Sequence, residues 1–267
     1  YAEDPEHGFL PSTGRLVALE LPAGEAIRVD TGVEAGAEVT SFYDPMIAKI
    51  IAHASTREQA LARLTEALRR TIVAGPRTNT SFLAALCEHS NFLSGRFDTA
   101  FIDRHLHELG AGSRRLDAAA AAAGVAHLIA REEDRIARRA ALLTTEPFSP
   151  WKTNDSFQLT GKRDVSLPVM VDGEPHAARV EFGEGGARVT LDNMEAAEDA
   201  VVFEGGEAVY VLRKGRQTVV RLKDFDDVDV EHLDDGGHMK APMSGKVIAV
   251  YVQKGDWVEK GQRVAII

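Results

Sequence analysis

Val209-Tyr210-Val211-Leu212, then Lys214-Gly215-Arg216, then Thr218-Val219-Val220-Arg221-Leu222: two alternating, β-branched runs flank a short glycine turn, the pattern of an antiparallel hairpin. The same pattern stands upstream, where Arg179-Val180-Glu181-Phe182 and Arg188-Val189-Thr190-Leu191 flank Gly183-Glu184-Gly185-Gly186. Asp172-Gly173 is a tight-turn pair. Short strands at roughly 10-residue spacing predict an antiparallel barrel or sandwich from Phe157 to Leu233. On its N-terminal side an alanine-rich run from Leu116 favours helix. Val125, Leu128, Ile129, Ile136, Ala140 and Leu143 fall on one stripe, and Arg131, Glu132, Asp134, Arg135 and Arg138 on the other. Gly124 weakens the middle of that helix, and Pro147 and Pro150 end it. A helix apolar along one stripe, beside an open barrel, can insert into the barrel and complete its core.

Further toward the N-terminus the texture is mixed. Gly14 to Glu20 alternates as a strand, and Ile27-Arg28-Val29-Asp30 is a second, closed by Thr31-Gly32. The run Ile47-Ala48-Lys49-Ile50-Ile51 reads as a buried strand. Ser55 or Thr56 can cap a helix that turns Ala60, Leu61, Leu64, Ala67 and Leu68 inward. A second helix follows Asn79-Thr80, with Phe82, Leu83 and Leu86 inward. A third begins near Asp98-Thr99, with Phe101, Ile102, His105 and Leu106. The class is α+β, not a βαβ array. Beyond the barrel, aspartates and glycines over 226–237 form an acidic linker. Residues 238–267 alternate short strands with glycine turns and carry valines at period two.

Composition narrows the functions. The 267 residues are 44% apolar and 27% charged, enough to build a core and to exclude a mostly disordered chain. No run of 18 apolar residues occurs that could span a bilayer as a helix. A single cysteine, Cys87, excludes an intramolecular disulfide and a multi-cysteine metal site, and points to a reducing compartment. A net charge of −10 argues against a general nucleic-acid binder. The opening at Tyr1 and the apolar close at Val264-Ala265-Ile266-Ile267 lead to the expectation of a piece of a longer protein.

Two sets of motifs carry a family resemblance. Ala241-Pro242-Met243-x-Gly245, with Gly255-Asp256-x-Val258-x-x-Gly261-Gln262, resembles the first half of a biotinyl carrier domain. Tyr1-Ala2-Glu3-Asp4-Pro5, Phe9-Leu10-Pro11-Ser12-x-Gly14, Ile27-Arg28-Val29-Asp30, Tyr43-Asp44-Pro45-Met46-Ile47-Ala48-Lys49 and Arg77-Thr78-Asn79 resemble, in order, the C-terminal part of biotin carboxylase. The layout is similar to the biotin-containing α subunit of acyl-CoA carboxylases, and Phe148-Ser149-Pro150-Trp151 looks closest to the methylcrotonyl-CoA type. The resemblance implies three parts. Residues 1–112 would be the C-terminal part of biotin carboxylase, a mixed antiparallel sheet with helices. Residues 113–237 would be a joining domain, with a central helix over 113–145, a β barrel over 146–233 and the linker. Residues 238–267 would be half of a flattened all-β biotinyl domain, without the biotin-accepting lysine.

The implied chemistry of the intact subunit is ATP- and bicarbonate-dependent carboxylation of biotin, with Mg2+. The carboxyl then passes to an acyl-CoA on a carboxyltransferase β subunit bound through the joining domain. The acyl-CoA would be 3-methylcrotonyl-CoA, or else propionyl-CoA or acetyl-CoA. No phosphate-loop pattern occurs here, so the chain alone is expected to hydrolyse no ATP. Arg28 is the catalytic candidate, since the resemblance places it facing bicarbonate and the biotin ureido group, where a guanidinium stabilises anionic oxygen. Thr99 would sit at the adenine edge of the nucleotide site. Asp44 and Lys49 read as a buried or half-buried structural pair. His53, His89, His105 and His107 show no metal-like arrangement with carboxylates, and no metal site is expected. Cys87 reads as a small core residue. The expected compartment is the bacterial cytoplasm or the mitochondrial matrix. Two other classes remain open: a lipoyl-type carrier scaffold, and a non-catalytic interaction module.

Overall fold

A computed structural model describes residues 1–112, 115–142, 163–183, 186–223, 247–259 and 261–266. The expected linker over 226–237, the Ala241-Pro242-Met243 opening, Pro147 and Pro150, and Phe148 to Trp151 lie outside the described residues.

The first 112 residues form short antiparallel ladders backed by helices. The strands are β1 (Glu3–Asp4), β2 (Leu10–Pro11), β3 (Gly14–Arg15), β4 (Ala18–Glu20), β5 (Ile27–Thr31), β6 (Glu38–Val39) and β7 (Ala48–Ala52). Helix α1 (Arg57–Arg70) is followed by β8 (Ile72–Ala74), α2 (Thr80–Glu88), α3 (Ser90–Leu93) and α4 (Phe101–His105). The expected mixed sheet is instead split into two-stranded pairs, β1–β2, β3–β6, β4–β8 and β5–β7, all antiparallel. The single strand expected over Gly14–Glu20 is divided for a physical reason. Leu16, fully buried, donates its N–H to Ala37, and Val17 donates to Ala74, so the chain passes from one ladder to the next. Thr56, not Ser55, caps α1 by accepting from the Gln59 N–H at 3.3 Å. Leu61, Ala67 and Leu68 of α1 are buried as expected.

Helix α5 (Ala118–Leu142) leads into β9 (Asp164–Val171), β10 (Glu174–Gly183), β11 (Gly186–Leu191), β12 (Met194–Glu195), β13 (Val201–Gly205), β14 (Ala208–Arg213) and β15 (Arg216–Leu222). These strands form one seven-stranded antiparallel sheet, ordered β12-β11-β10-β9-β15-β14-β13. It curls around α5, which touches strands from both ends of that order. Residues 119–125 are all buried, with no polar side, because sheet covers the helix all round. The inward stripe is therefore only partly the one expected. Val125 and Leu128 are in the core and Ile129 packs at its margin, but Ile136 is half-exposed past the barrel, and the Ala140 side chain and Leu143 lie outside what is described. Gly124 is not a weak point but a requirement. A Cβ there would lie 2.8 Å from Val220 Cγ2 and 2.9 Å from Val211 Cγ2, closer than carbon atoms pack.

A charged seam joins the two regions. Arg216 binds Glu6 through Nε to Oε1 (2.8 Å) and a terminal nitrogen to Oε2 (3.2 Å), 210 residues apart. Arg77 donates to Asp172 Oδ1 at 2.6 Å, and the same oxygen accepts from the Val219 N–H. Burial works against the Arg216 charge. The hydrogen bonds and charge of Glu6, with Asp172 and Asp117, outweigh it and hold the guanidinium above its ordinary value. Beside them the Gln217 amide both accepts from the Gly75 N–H and donates to the Gly75 carbonyl, each at 2.9 Å. Gly75 admits this approach only without a side chain, since a Cβ would lie 2.2 Å from the Arg15 carbonyl oxygen at φ +120°. Past the barrel, β16 (Ala249–Val250) pairs with β17 (Ala265–Ile266), and Trp257 stands fully in solvent.

Candidate functional site

The side-chain alternation of a strand sets the site. On β5, Val29 turns inward while Arg28 and Asp30 turn out, and across the ladder Arg28 faces Ile51 and Asp30 faces Lys49. The result is an exposed strip of Arg28, Asp30, Lys49 and Ile51 on one face of a two-stranded ribbon. The Arg28 guanidinium sits flat on Asp30, Nε to Oδ1 at 3.1 Å and a terminal nitrogen to Oδ2 at 2.7 Å. That fork raises the arginine above its ordinary value and holds the Asp30 carboxyl below the usual carboxylate range. Next to the strip, the loop before β7 leaves Phe42 and Tyr43 82% and 84% exposed. An exposed guanidinium with a removable carboxylate partner can bind a small anion, or steady negative charge developing on oxygen.

Two expectations about this ribbon are corrected. Ile47 to Ile51 is not a buried strand, since Lys49 and Ile51 face solvent. Asp44 and Lys49 are not a buried pair: both are exposed, Lys49 opposes Asp30, and Asp44 accepts from the Met46 N–H at 3.1 Å, as a turn residue does. The period-two register of β7 explains both. It sends Ile50 inward and its neighbours out.

Thr99 lies in the exposed turn before α4, after Asp98, which accepts from the Ala100 N–H and pairs with Arg104 at 2.7 Å. No hydrogen bond or ion pair among the described residues links Thr99 to Arg28. The missed partner of Arg28 is Asp30, which was legible as an i, i+2 pair on one strand face.

The histidines also differ from expectation. His89, where α2 ends and α3 begins, and His105, the last residue of α4, converge on Glu108. Glu108 Oε2 lies 3.2 Å from His89 Nε2 and 3.1 Å from His105 Nδ1, and the hydrogen bonds from these two rings draw its carboxyl below the usual range. The expected absence of any histidine–carboxylate arrangement is thus overturned. The turn after α4 folds Glu108 back, and 19 residues separate it from His89. His107, by contrast, points into solvent beside Arg115. Cys87 is buried, and that burial pushes its thiol up, as suits a core residue rather than a nucleophile.

The described residues fit some of the implied groups and not others. Arg28 suits a bicarbonate or ureido oxygen. For Mg2+, which takes oxygen ligands, the one candidate metal cluster among the described residues is imidazole-based and does not fit.

Comparison with known proteins places this region in a family. Residues 1–104 match the family described as Biotin carboxylase C-terminal domain, and this part of the chain is such a domain. Along its whole length the chain is homologous to α subunits of biotin-dependent acyl-CoA carboxylases. It is 32% identical over 299 residues to the mitochondrial methylcrotonoyl-CoA carboxylase subunit alpha of Dictyostelium discoideum, covering all of this chain and 42% of that protein. It is 29% identical over 311 residues to the propionyl-CoA carboxylase alpha chain of Ruegeria pomeroyi, again covering all of this chain and 45% of that one. The chain thus spans less than half the length of these curated relatives. Among solved structures, the biotin carboxylase domain of the Hydrogenobacter thermophilus 2-oxoglutarate carboxylase is 35% identical, with a TM-score of 0.40, covering 40% of this chain and 24% of that one.

Proposed function

We propose that this chain works within the α subunit of a biotin-dependent acyl-CoA carboxylase, in which ATP and bicarbonate carboxylate biotin and the carboxyl then passes to an acyl-CoA. The observation that carries the reading is whole-length similarity to two kinds of acyl-CoA carboxylase α subunit, joined to an outward guanidinium on the ribbon of the carboxylase domain. Arg28 is the catalytic residue of this reading. It leaves Asp30 to hold bicarbonate and the oxygen of deprotonated biotin, supplying two donors in a fixed fork. Asp30 keeps that fork oriented until the anion arrives. Thr99 serves the nucleotide edge through its backbone. Most of the residues that bind ATP and Mg2+, and the biotin-bearing lysine, belong to parts of the intact subunit other than the residues described here.

The same reading assigns residues 113–237 to a joining domain that holds a carboxyltransferase β subunit, and 238–267 to the start of the biotinyl carrier. The preferred acyl-CoA is 3-methylcrotonyl-CoA, with propionyl-CoA the alternative that the second relative supports. No helix among the described residues is long and apolar enough to cross a membrane. The bacterial cytoplasm and the mitochondrial matrix both suit the reading, as one relative is bacterial and another is named mitochondrial.

The test uses the intact α subunit. Arg28→Ala should lower bicarbonate-dependent carboxylation of free biotin by about 10²-fold or more, with little change in the KM for ATP. Arg28→Lys should recover only part, because a point charge lacks the fork. Full activity in Arg28→Ala would refute the assignment. Deleting 146–233 should abolish co-purification with the β subunit, and unchanged binding would refute the joining role.

A further inference from the structure

We propose that His89 Nε2, His105 Nδ1 and Glu108 Oε2 form a binding site for a divalent transition-metal ion of the zinc class.

The donor set selects the metal. Two imidazole nitrogens and one carboxylate suit zinc, cobalt, nickel or copper, and disfavour the all-oxygen ions magnesium and calcium. The geometry is close to what such an ion needs. Bond lengths near 2.0–2.1 Å at tetrahedral angles put neighbouring donors about 3.3 Å apart. Glu108 Oε2 already lies 3.2 Å and 3.1 Å from the two ring nitrogens. The three donor atoms all lie within 4.8 Å of one another, so a small ring rotation closes the remaining edge.

Packing holds both rings in place. Phe101 meets His89 edge-on at 5.0 Å and His105 at 4.7 Å, and the two imidazoles stand 4.6 Å apart. The histidine side chains are largely covered, at 14% and 21% exposure, whereas Glu108 at 63% faces water. A metal ion would enter from the Glu108 side and keep a water ligand there, as open three-ligand sites do.

One contact opposes the ion and sets the expected strength. His89 Nδ1 accepts the Asn91 N–H at 3.2 Å, which leaves the ring proton on Nε2, facing Glu108. Metal at Nε2 moves that proton to Nδ1 and breaks the Asn91 bond. Ligating histidines ordinarily direct their second nitrogen at an acceptor, not at a donor. The site should therefore bind in the micromolar range rather than the nanomolar range of closed structural sites. Once bound, the ion ties the end of α2 to the turn after α4 and closes the loop between them, which contains Thr99.

Titration of the metal-free chain with Zn2+ by calorimetry, and with Co2+ by visible absorption, tests this. We expect one ion per chain, cobalt bands of a four-coordinate site, and a shift of the Asn91 amide resonance on binding. Glu108→Gln should weaken binding by at least about tenfold. His107→Ala, two residues along the same turn, should leave it unchanged. Because Glu108 is exposed, its variant reports even if His89→Ala or His105→Ala fails to fold. No saturable binding up to about 100-fold above the micromolar range, binding indifferent to Glu108→Gln, or equal loss in His107→Ala would each overturn the site.

Discussion

The two larger regions solve the same problem, burying apolar surface in an antiparallel fold, in opposite ways. The barrel winds one sheet around a helix so closely that residue 124 has no space for a methyl group. Residues 1–112 use ladders two strands wide, with a cavity of about 260 Å3 between β7, α1 and α2, bordered by Ile47, Ile50, Leu64, Leu68, Leu83 and Cys87, against one of about 190 Å3 beside Leu128 and Ile129 in the barrel. The inner face of that sheet is taken up by the helix, so only its outer side chains, such as Arg179 and Arg188, meet water. Narrow ribbons leave half their side chains in water, and Arg28 stands on such a face. In the proposed function the barrel is scaffold and the ribbon carries Arg28, with the charged seam as the joint between them.

The seam offers the strongest way to break this contrast. Glu6 is largely buried against Arg216, so Arg216→Ala removes its two-point guanidinium partner where water does not fully reach, while Asp172 keeps Arg77 at 2.6 Å. Removing one member of such a network costs about 3 kcal/mol. If the seam makes the regions one cooperative body, calorimetry of Arg216→Ala should show a single melt replaced by two, the earlier one from residues 1–112. A single, unshifted transition would mean that the regions were never coupled through it.

A smaller effect sharpens the account of the barrel. Glycine to alanine inside a helix ordinarily gains about 1 kcal/mol. At Gly124 the new methyl meets Val211 and Val220, and such overpacking costs about 1–3 kcal/mol. Gly124→Ala should therefore lower stability by about 1 kcal/mol in a thermal melt, and Val220→Ala should relieve part of that loss. A more stable Gly124→Ala would show that the helix sits loosely in the sheet.

How legible each region was follows from the range of its interactions. Short-range patterns read well: hairpins flanking Gly183 and Gly215, the Thr56 cap, and the helices after Asn79 and Asp98 all depend on neighbours in sequence. The seam did not, because Arg216 and Glu6 are 210 residues apart and no periodicity ties them. Gly124 was read from propensity alone, which cannot see two valines arriving from other strands. The stripe on α5 held only in part, at Val125, Leu128 and Ile129, since the enclosed first half of the helix has no polar side for a moment to detect. Arg28 was named correctly as a residue on β5, yet its pairing with Asp30 was available from the same alternation and went unread. His89 and Glu108 meet only through the turn after α4. That turn is set by packing of Phe101, Leu109 and Ala111 rather than by any spacing.

The mildest prediction compares the regions by pH. Asp30, Glu58, Asp98 and Glu108 in the first region, and Asp199 and Glu204 in the barrel, are all held below their ordinary values, mainly by hydrogen bonds from neighbouring side chains or, for Glu58, first from its own backbone N–H. A carboxylate depressed in the folded state stabilises fully above its unfolded value, near 4 for Asp and Glu. That contribution is lost as pH falls through the lower, folded value. Both regions should thus weaken on acidification below about pH 5, and the first region, with more such groups, should weaken faster. All six carboxylates face solvent, so the difference is small and belongs to screened charges. Hydrogen exchange followed from pH 6 to pH 4 should show protection falling sooner in α1 and β5 than in β14 and β15. Added salt near 1 M should erase that difference. If it persists in salt, the first region is weaker because of its narrow ladders, and packing rather than charge separates the two.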